Sequence, residues 1–86
     1  LSRRVELARE AEKDLDRLDR NTEARVRRRL RELALTPFDP RISRPLKGVS
    51  DLRASRVGDW RILYMVQEEV VIVLAIRPRG RAYRRL

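Results

Sequence analysis

The chain has 86 residues with no cysteine and no histidine, and sets 22 Lys plus Arg against 13 Asp plus Glu for a net charge of +9, with 20 of the cations arginine. That length supports one compact core, read here as a single domain over residues 1–86. The lack of cysteine excludes a disulfide framework and a thiolate metal site, leaving the reducing cytoplasm as the expected compartment. No apolar run approaches the roughly 20 residues that span a bilayer, and the start, Leu1-Ser2-Arg3-Arg4, lacks the apolar stretch of a secretory signal, so a soluble protein without a membrane partner is expected.

In chain order, Arg4-Val5-Glu6-Leu7 alternates and predicts a short first strand. From Ala8 the period changes. Ala8, Ala11, Leu15 and Leu18 recur at helical spacing, leaving Glu10, Glu12, Asp14, Asp16 and Asp19 on the remaining, solvated surface. Asn21 and Thr22 form a break and a candidate N-cap. Val26, Leu30, Leu33 and Ala34 then make a second apolar stripe, ended by Pro37 and Pro40. The outer face of this second helix carries Arg25, Arg27, Arg28, Arg29 and Arg31. An acidic helix turning into a basic one predicts an antiparallel hairpin, residues about 9 to 35, with ion pairs across it.

Residues 36–50 hold three prolines, Asp39, Ser43 and Gly48 and predict a loop into a sheet. Leu52 to Val57, Trp60 to Val66 and Val70 to Arg77 follow, rich in β-branched and aromatic residues and separated by Gly58-Asp59 and Gln67-Glu68-Glu69. They predict a three-stranded antiparallel meander. One face packs on the hairpin, with Trp60 and Tyr64 read as core, and the other is partly open and carries Arg61. Whether Arg77 joins Arg61 is a matter of parity. A connection of residues 67–69 puts both arginines on one side of the sheet, and a two-residue connection puts them on opposite sides. The expected fold class is α+β: an N-terminal strand and a helical hairpin on an antiparallel sheet of about four strands.

Charge locates the function. Residues 1–40 carry 11 cations and 9 anions, whereas residues 41–86 carry 11 cations and 4 anions, so the excess lies in the second half. Arginine forks suit phosphate oxygens, and neutralising phosphates releases counterions, which makes nucleic acid, RNA above all, the expected partner. The cationic set is Arg53, Arg56, Arg61, Arg77, Arg79 and Arg81, with Lys47 before it and Tyr83 after it. Guanidinium stabilises charge on a phosphate but transfers protons poorly; Tyr83 can exchange a proton or stack on a base. Without histidine, cysteine or a carboxylate pair at metal spacing, no cofactor or metal is expected. Structural roles compete at each position: Arg61 can snorkel, Arg56 can pair with Asp59 or Asp51, and Tyr83 can pin the tail to the sheet.

Leu46-Lys47-Gly48, Arg56-Val57-Gly58-Asp59-Trp60-Arg61-Ile62-Leu63-Tyr64 and Arg77-Pro78-Arg79-Gly80-Arg81-Ala82-Tyr83, in that order around an apolar strand, resemble the RelE/ParE superfamily of toxin-antitoxin toxins. The tail is most similar to archaeal-type RelE. The resemblance implies a RelE-like, microbial ribonuclease-type fold and an mRNA interferase: a metal-independent endoribonuclease that cuts messenger RNA in the ribosomal A site, inhibits translation, and is held inactive by a cognate antitoxin. It implies catalytic roles for Arg61, near the scissile phosphate, for Arg77, which stabilises charge or protonates the leaving group, and for Tyr83, a general base. Arg53, Arg56, Arg79, Arg81 and Lys47 become the RNA-binding set. The lysines used by the bacterial form on the preceding strand have no lysine here; only Arg53 and Arg56 lie near that place. Two other functions compete: a ParE-like DNA gyrase poison, which needs no catalytic tail, and a non-catalytic basic RNA-binding module.

Overall fold

In a computed structural model, which describes residues 2–79, the elements run β1 (Arg4–Leu7), α1 (Arg9–Asp16), α2 (Arg20–Leu35), β2 (Arg44–Pro45), β3 (Arg53–Val57), β4 (Trp60–Gln67) and β5 (Val70–Pro78). The strands form a five-stranded sheet in the order β1-β5-β4-β3-β2. β5, β4 and β3 are antiparallel neighbours as the meander predicts, β2 from the expected loop pairs antiparallel with β3, and β1 lies parallel to β5 along Arg4↔Val70 to Leu7↔Val73. The sheet is therefore mixed and one strand wider than expected, because β1 joins its far edge and Arg44-Pro45 adds a short strand at the other.

Both helices lie on one face. Ala11, Leu15, Val26, Leu30 and Leu33 pack against Val57, Ile62, Tyr64, Val71, Val73 and Ile76 in the main core. Truncating a fully buried member such as Leu33 to alanine removes about 2–5 kcal/mol of stability. On the opposite face Ala54, Leu63 and Ala75 form a small second cluster under Leu46. No helix among the described residues is long and apolar enough to cross a membrane.

Three local features depart from the sequence expectation. The N-cap of α2 is Asp19, two residues before the expected Asn21-Thr22; its carboxylate accepts from Thr22 N at 3.2 Å and from Thr22 Oγ1 at 2.6 Å. Those hydrogen bonds hold the Asp19 carboxyl below its ordinary range. The cross-helix ion pairs do not form among the described residues. α2 pairs its charges internally, Arg27 with Glu23 and Arg29 with Glu32, and Asp14 of α1, expected on the solvated surface, is buried against β5.

The third concerns parity. β4 and β5 are joined by two residues, Glu68 and Glu69, with Gln67 opposite Val70, and Glu68 adopts the left-handed φ of 53°. On that connection alone Arg61 and Arg77 would fall on opposite faces. Instead the register shifts between Leu63 and Tyr64: Tyr64 pairs with Val73 but Leu63 pairs with Ala75, leaving Leu74 as an extra residue in β5. The bulge resets alternation. Ile76 returns to the helix side opposite Ile62, and Arg77 stands directly opposite Arg61.

Candidate nucleic-acid interface

The sheet register builds the site. Across three strands the pairs Arg56↔Arg61 and Arg61↔Arg77 place one arginine from each of β3, β4 and β5 in a single transverse row. Directly opposite residues share a face, and Ala54, Leu63 and Ala75, two residues from each of these arginines, mark it as the face away from the helices. β2 adds Arg44, opposite Ala54. At the far end Arg79 follows β5, held by its N–H donating to Asp59 O at 2.6 Å.

Arg61 sits at the centre of this field. Partial burial, then Arg79, Arg56 and Arg44, all depress its pKa from the ordinary value, so its charge is destabilised by desolvation and by three like neighbours. Such a centre gains most from an anion. Beside it opens a cleft of about 960 Å³ lined by Arg44, Lys47, Arg56 and Arg61 together with the apolar side chains of Leu46 and Val49. Cations around an apolar floor suit a nucleotide, whose phosphate and base need one of each.

The wall of the cleft hangs on one buried hydrogen-bond relay. Arg53 Nε donates to Ser43 Oγ at 2.7 Å, the Ser43 hydroxyl bonds Tyr64 Oη, and Tyr64 Oη donates to Pro37 O at 2.6 Å. The relay fixes the segment from Pro37 to Ser43 onto β4. Arg41 within it is engaged by Asp39, through Nη2 to Oδ2 at 2.9 Å, and the Arg41 hydrogen bonds hold the Asp39 carboxyl below its ordinary range. On the other side, Arg29 of α2 reaches under β3 to donate to Ser55 Oγ at 2.9 Å and Arg56 O at 2.7 Å.

The sequence-predicted residues divide accordingly. Arg56, Arg61, Arg79 and Lys47 gather at the open face or its cleft. Arg56 pairs with neither Asp59 nor Asp51; its Nε donates to Gly58 O at 3.2 Å. Arg53 does not join them: opposite Tyr64, it faces the helix side, bonds Ser43 and lies 5.1 Å from the Phe38 ring centroid, a structural role. Arg77 starts from the open face, but its guanidinium turns over the edge of β5 to Asp14 at 2.9 Å and Glu10 at 3.4 Å. Arg81 and Tyr83 lie outside the described residues. Tyr64 belongs to the core and Trp60, half-buried, packs against it, as expected. Sequence reasoning missed Arg44, hidden in a proline-rich stretch too short to show alternation, and Asp14, whose spacing alone assigns it to solvent.

A pair of helices on one face of a five-stranded mixed sheet is the RelE-like toxin fold. The sequence matches the family described as ParE toxin of type II toxin-antitoxin system, parDE, over residues 5–83, and the chain belongs to that family, within the RelE/ParE superfamily. It is a toxin of a type II toxin-antitoxin system. Among solved structures, the archaeal RelE-RelB complex from Pyrococcus horikoshii OT3 contains a chain 28% identical, with a TM-score of 0.80, covering 95% of this chain and 100% of that one. The RelBE2 toxin-antitoxin complex from Mycobacterium tuberculosis matches at 24% identity and 0.80 over 92% and 100%, and the YoeB/ParE toxin from Agrobacterium tumefaciens at 20% and 0.77 over 88% and 98%. These last two share the fold. No curated protein matches the sequence.

Proposed function

We propose that this toxin is an endoribonuclease that cuts messenger RNA in the ribosomal A site and so inhibits translation. The observation that carries this reading is the cluster of Arg44, Arg56 and Arg79 around Arg61 on the open face, beside a cleft roomy enough for a nucleotide. Cleavage through the neighbouring 2′-hydroxyl forms a bond from that oxygen to phosphorus and breaks the bond from phosphorus to the 5′-oxygen. The proton leaves the first oxygen for a base, and Arg77 or solvent water delivers one to the second. Charge builds on the phosphate between these events; in this reading Arg61 stabilises it, Arg77 assists from the β5 edge, and Tyr83 takes the 2′-hydroxyl proton. Arg44, Arg56, Arg79, Arg81 and Lys47 hold the flanking backbone.

The partner is a cognate antitoxin that covers the basic face. Relatives crystallised as RelE-RelB and RelBE2 complexes support this, and the charge favours an acidic or amphipathic segment. A second reading, a ParE-like poison of DNA gyrase, draws on the family match and on the engagement of the Arg77 guanidinium by two carboxylates. Mapping cuts on a message with and without translating ribosomes separates the two. Cuts confined to translated message support the ribonuclease; intact message with blocked supercoiling supports the gyrase reading. RNA or ribosome binding is also expected to weaken steeply with salt, as phosphate contacts do.

A further inference from the structure

β1 stops pairing with β5 at Leu7↔Val73, so beyond the bulge at Leu74 the outer edge of β5 has no strand beside it among the described residues. One side chain of α1 takes that place. The Asp14 carboxylate, 4% exposed, accepts the Ile76 N–H through Oδ2 at 2.9 Å and Arg77 Nη1 through Oδ1 at 2.9 Å. Glu10, one turn earlier on the same helical face and exposed, stands 3.4 Å from Arg77 Nη2.

These contacts do two separable things. The Ile76 bond satisfies a backbone donor that a further strand would have taken, and any acceptor at this position would serve. The Arg77 bond has no such backbone purpose. A buried carboxylate needs a cationic partner to offset its desolvation, so Asp14 and Arg77 hold each other in one geometry, and that geometry is tied to the β5 backbone one residue away. A guanidinium has five N–H groups in a rigid fork. Asp14 and Glu10 engage one each on Nη1 and Nη2, and the fork has further N–H groups to offer a phosphate that reaches the β5 edge of the open face.

We propose that Asp14 is a positioning residue of the RNA site, acting through Arg77: it fixes the Arg77 guanidinium at the rim of the open face, so that the reacting phosphate meets an oriented arginine rather than a mobile one. This rests on the ribonuclease reading. Glu10 supplements the hold from the solvent side.

The test is a double-mutant cycle on cleavage of translated message, with thermal melts of every variant and Arg61→Ala as the control for the reading itself. Asp14→Asn keeps an acceptor for Ile76 N–H and removes the charge that holds Arg77. It is expected to lower kcat about 10²-fold, the scale of a misplaced catalytic group, with little change in KM. In an Arg77→Ala background the same substitution is expected to change nothing further, because its target is gone. Glu10→Gln, at an exposed position that does not threaten folding, is expected to give a smaller loss that also disappears without Arg77. Equal losses from either substitution with and without Arg77 would show a structural role and overturn the proposal. So would faster cleavage by Asp14→Asn, which would make the carboxylate a restraint. If Arg61→Ala abolishes cleavage while the cycle is additive, the positioning role alone fails; a wild type that cuts no translated message overturns both.

Discussion

Tyr64 joins the core to the wall of the cleft, and removing its hydroxyl tests that joint. The side chain is fully buried, and its oxygen donates to Pro37 O while bonded to the Ser43 hydroxyl. Tyr64→Phe keeps the ring and its packing. It leaves the buried Pro37 carbonyl without its donor, and Ser43 keeps only the bond from Arg53. An orphaned buried polar group costs about 1–3 kcal/mol. At roughly 4–8 °C per kcal/mol for a domain of this size, the midpoint is expected to fall about 5–20 °C. Urea denaturation measures the free energy directly, and the slope m should be unchanged because the surface exposed on unfolding is the same. Because Ile42 and Ser43 also line the cleft, binding of a short RNA should weaken in parallel. A loss below about 0.5 kcal/mol, less than one net hydrogen bond, would refute the relay as the anchor of this segment.

Gly58 turns β3 into β4 with a φ of 60°, and a Cβ there would lie 3.2 Å from the terminal nitrogens of Arg25. Since that arginine tip can move aside, backbone strain sets the effect of Gly58→Ala, about 1–2 kcal/mol by denaturation; a neutral result would contradict the turn geometry. The depressed Asp19 carboxyl gives a stabilisation present above its ordinary value of 3.8 and lost as pH falls through the lower folded value. Asp19→Asn retains a capping oxygen without the titration, so the wild-type advantage in melting temperature should shrink on acidification below about pH 4, the region of carboxylate titration; a constant difference would refute this. Repulsion among Arg44, Arg56, Arg61 and Arg79 persists throughout neutral pH and is screened by salt. Added salt should therefore raise the melting temperature of wild type more than that of Arg61→Ala, and equal responses would show that the cluster is not strained.

Most of the fold was legible because burial imposes two different periods. Ala11 and Leu15, then Val26, Leu30 and Leu33, can share a face only on helices, and Trp60, Ile62 and Tyr64 only on a strand. The row of arginines was not legible in the same way. Val70 to Ile76 is apolar at every position, so nothing in it marks Leu74 as the extra residue, and the parity of Arg77 rests on a bulge that composition does not encode. Here the expected three-residue connection was wrong, and the shared row arises from a two-residue turn corrected by the bulge. Arg53 was misplaced by proximity: three positions from Arg56 on one strand, it points to the other face. Asp14 escaped because helical periodicity ranks residues by hydropathy, while the unpaired edge of β5 calls for an acceptor, here a carboxylate, on the buried side. The family resemblance supplied what the residues alone did not, namely the catalytic roles implied for Arg61, Arg77 and Tyr83.

The most direct test of the ribonuclease reading compares wild type with Arg61→Ala on a translated message, mapping cuts while monitoring folding by thermal melting and DNA supercoiling in parallel. Loss of a donor aimed at developing charge predicts a fall in cleavage of about 10²-fold to 10³-fold, with the melting temperature unchanged or higher and supercoiling untouched by either protein. Undiminished cutting by Arg61→Ala, or wild-type protein that spares the message and blocks supercoiling, would contradict it.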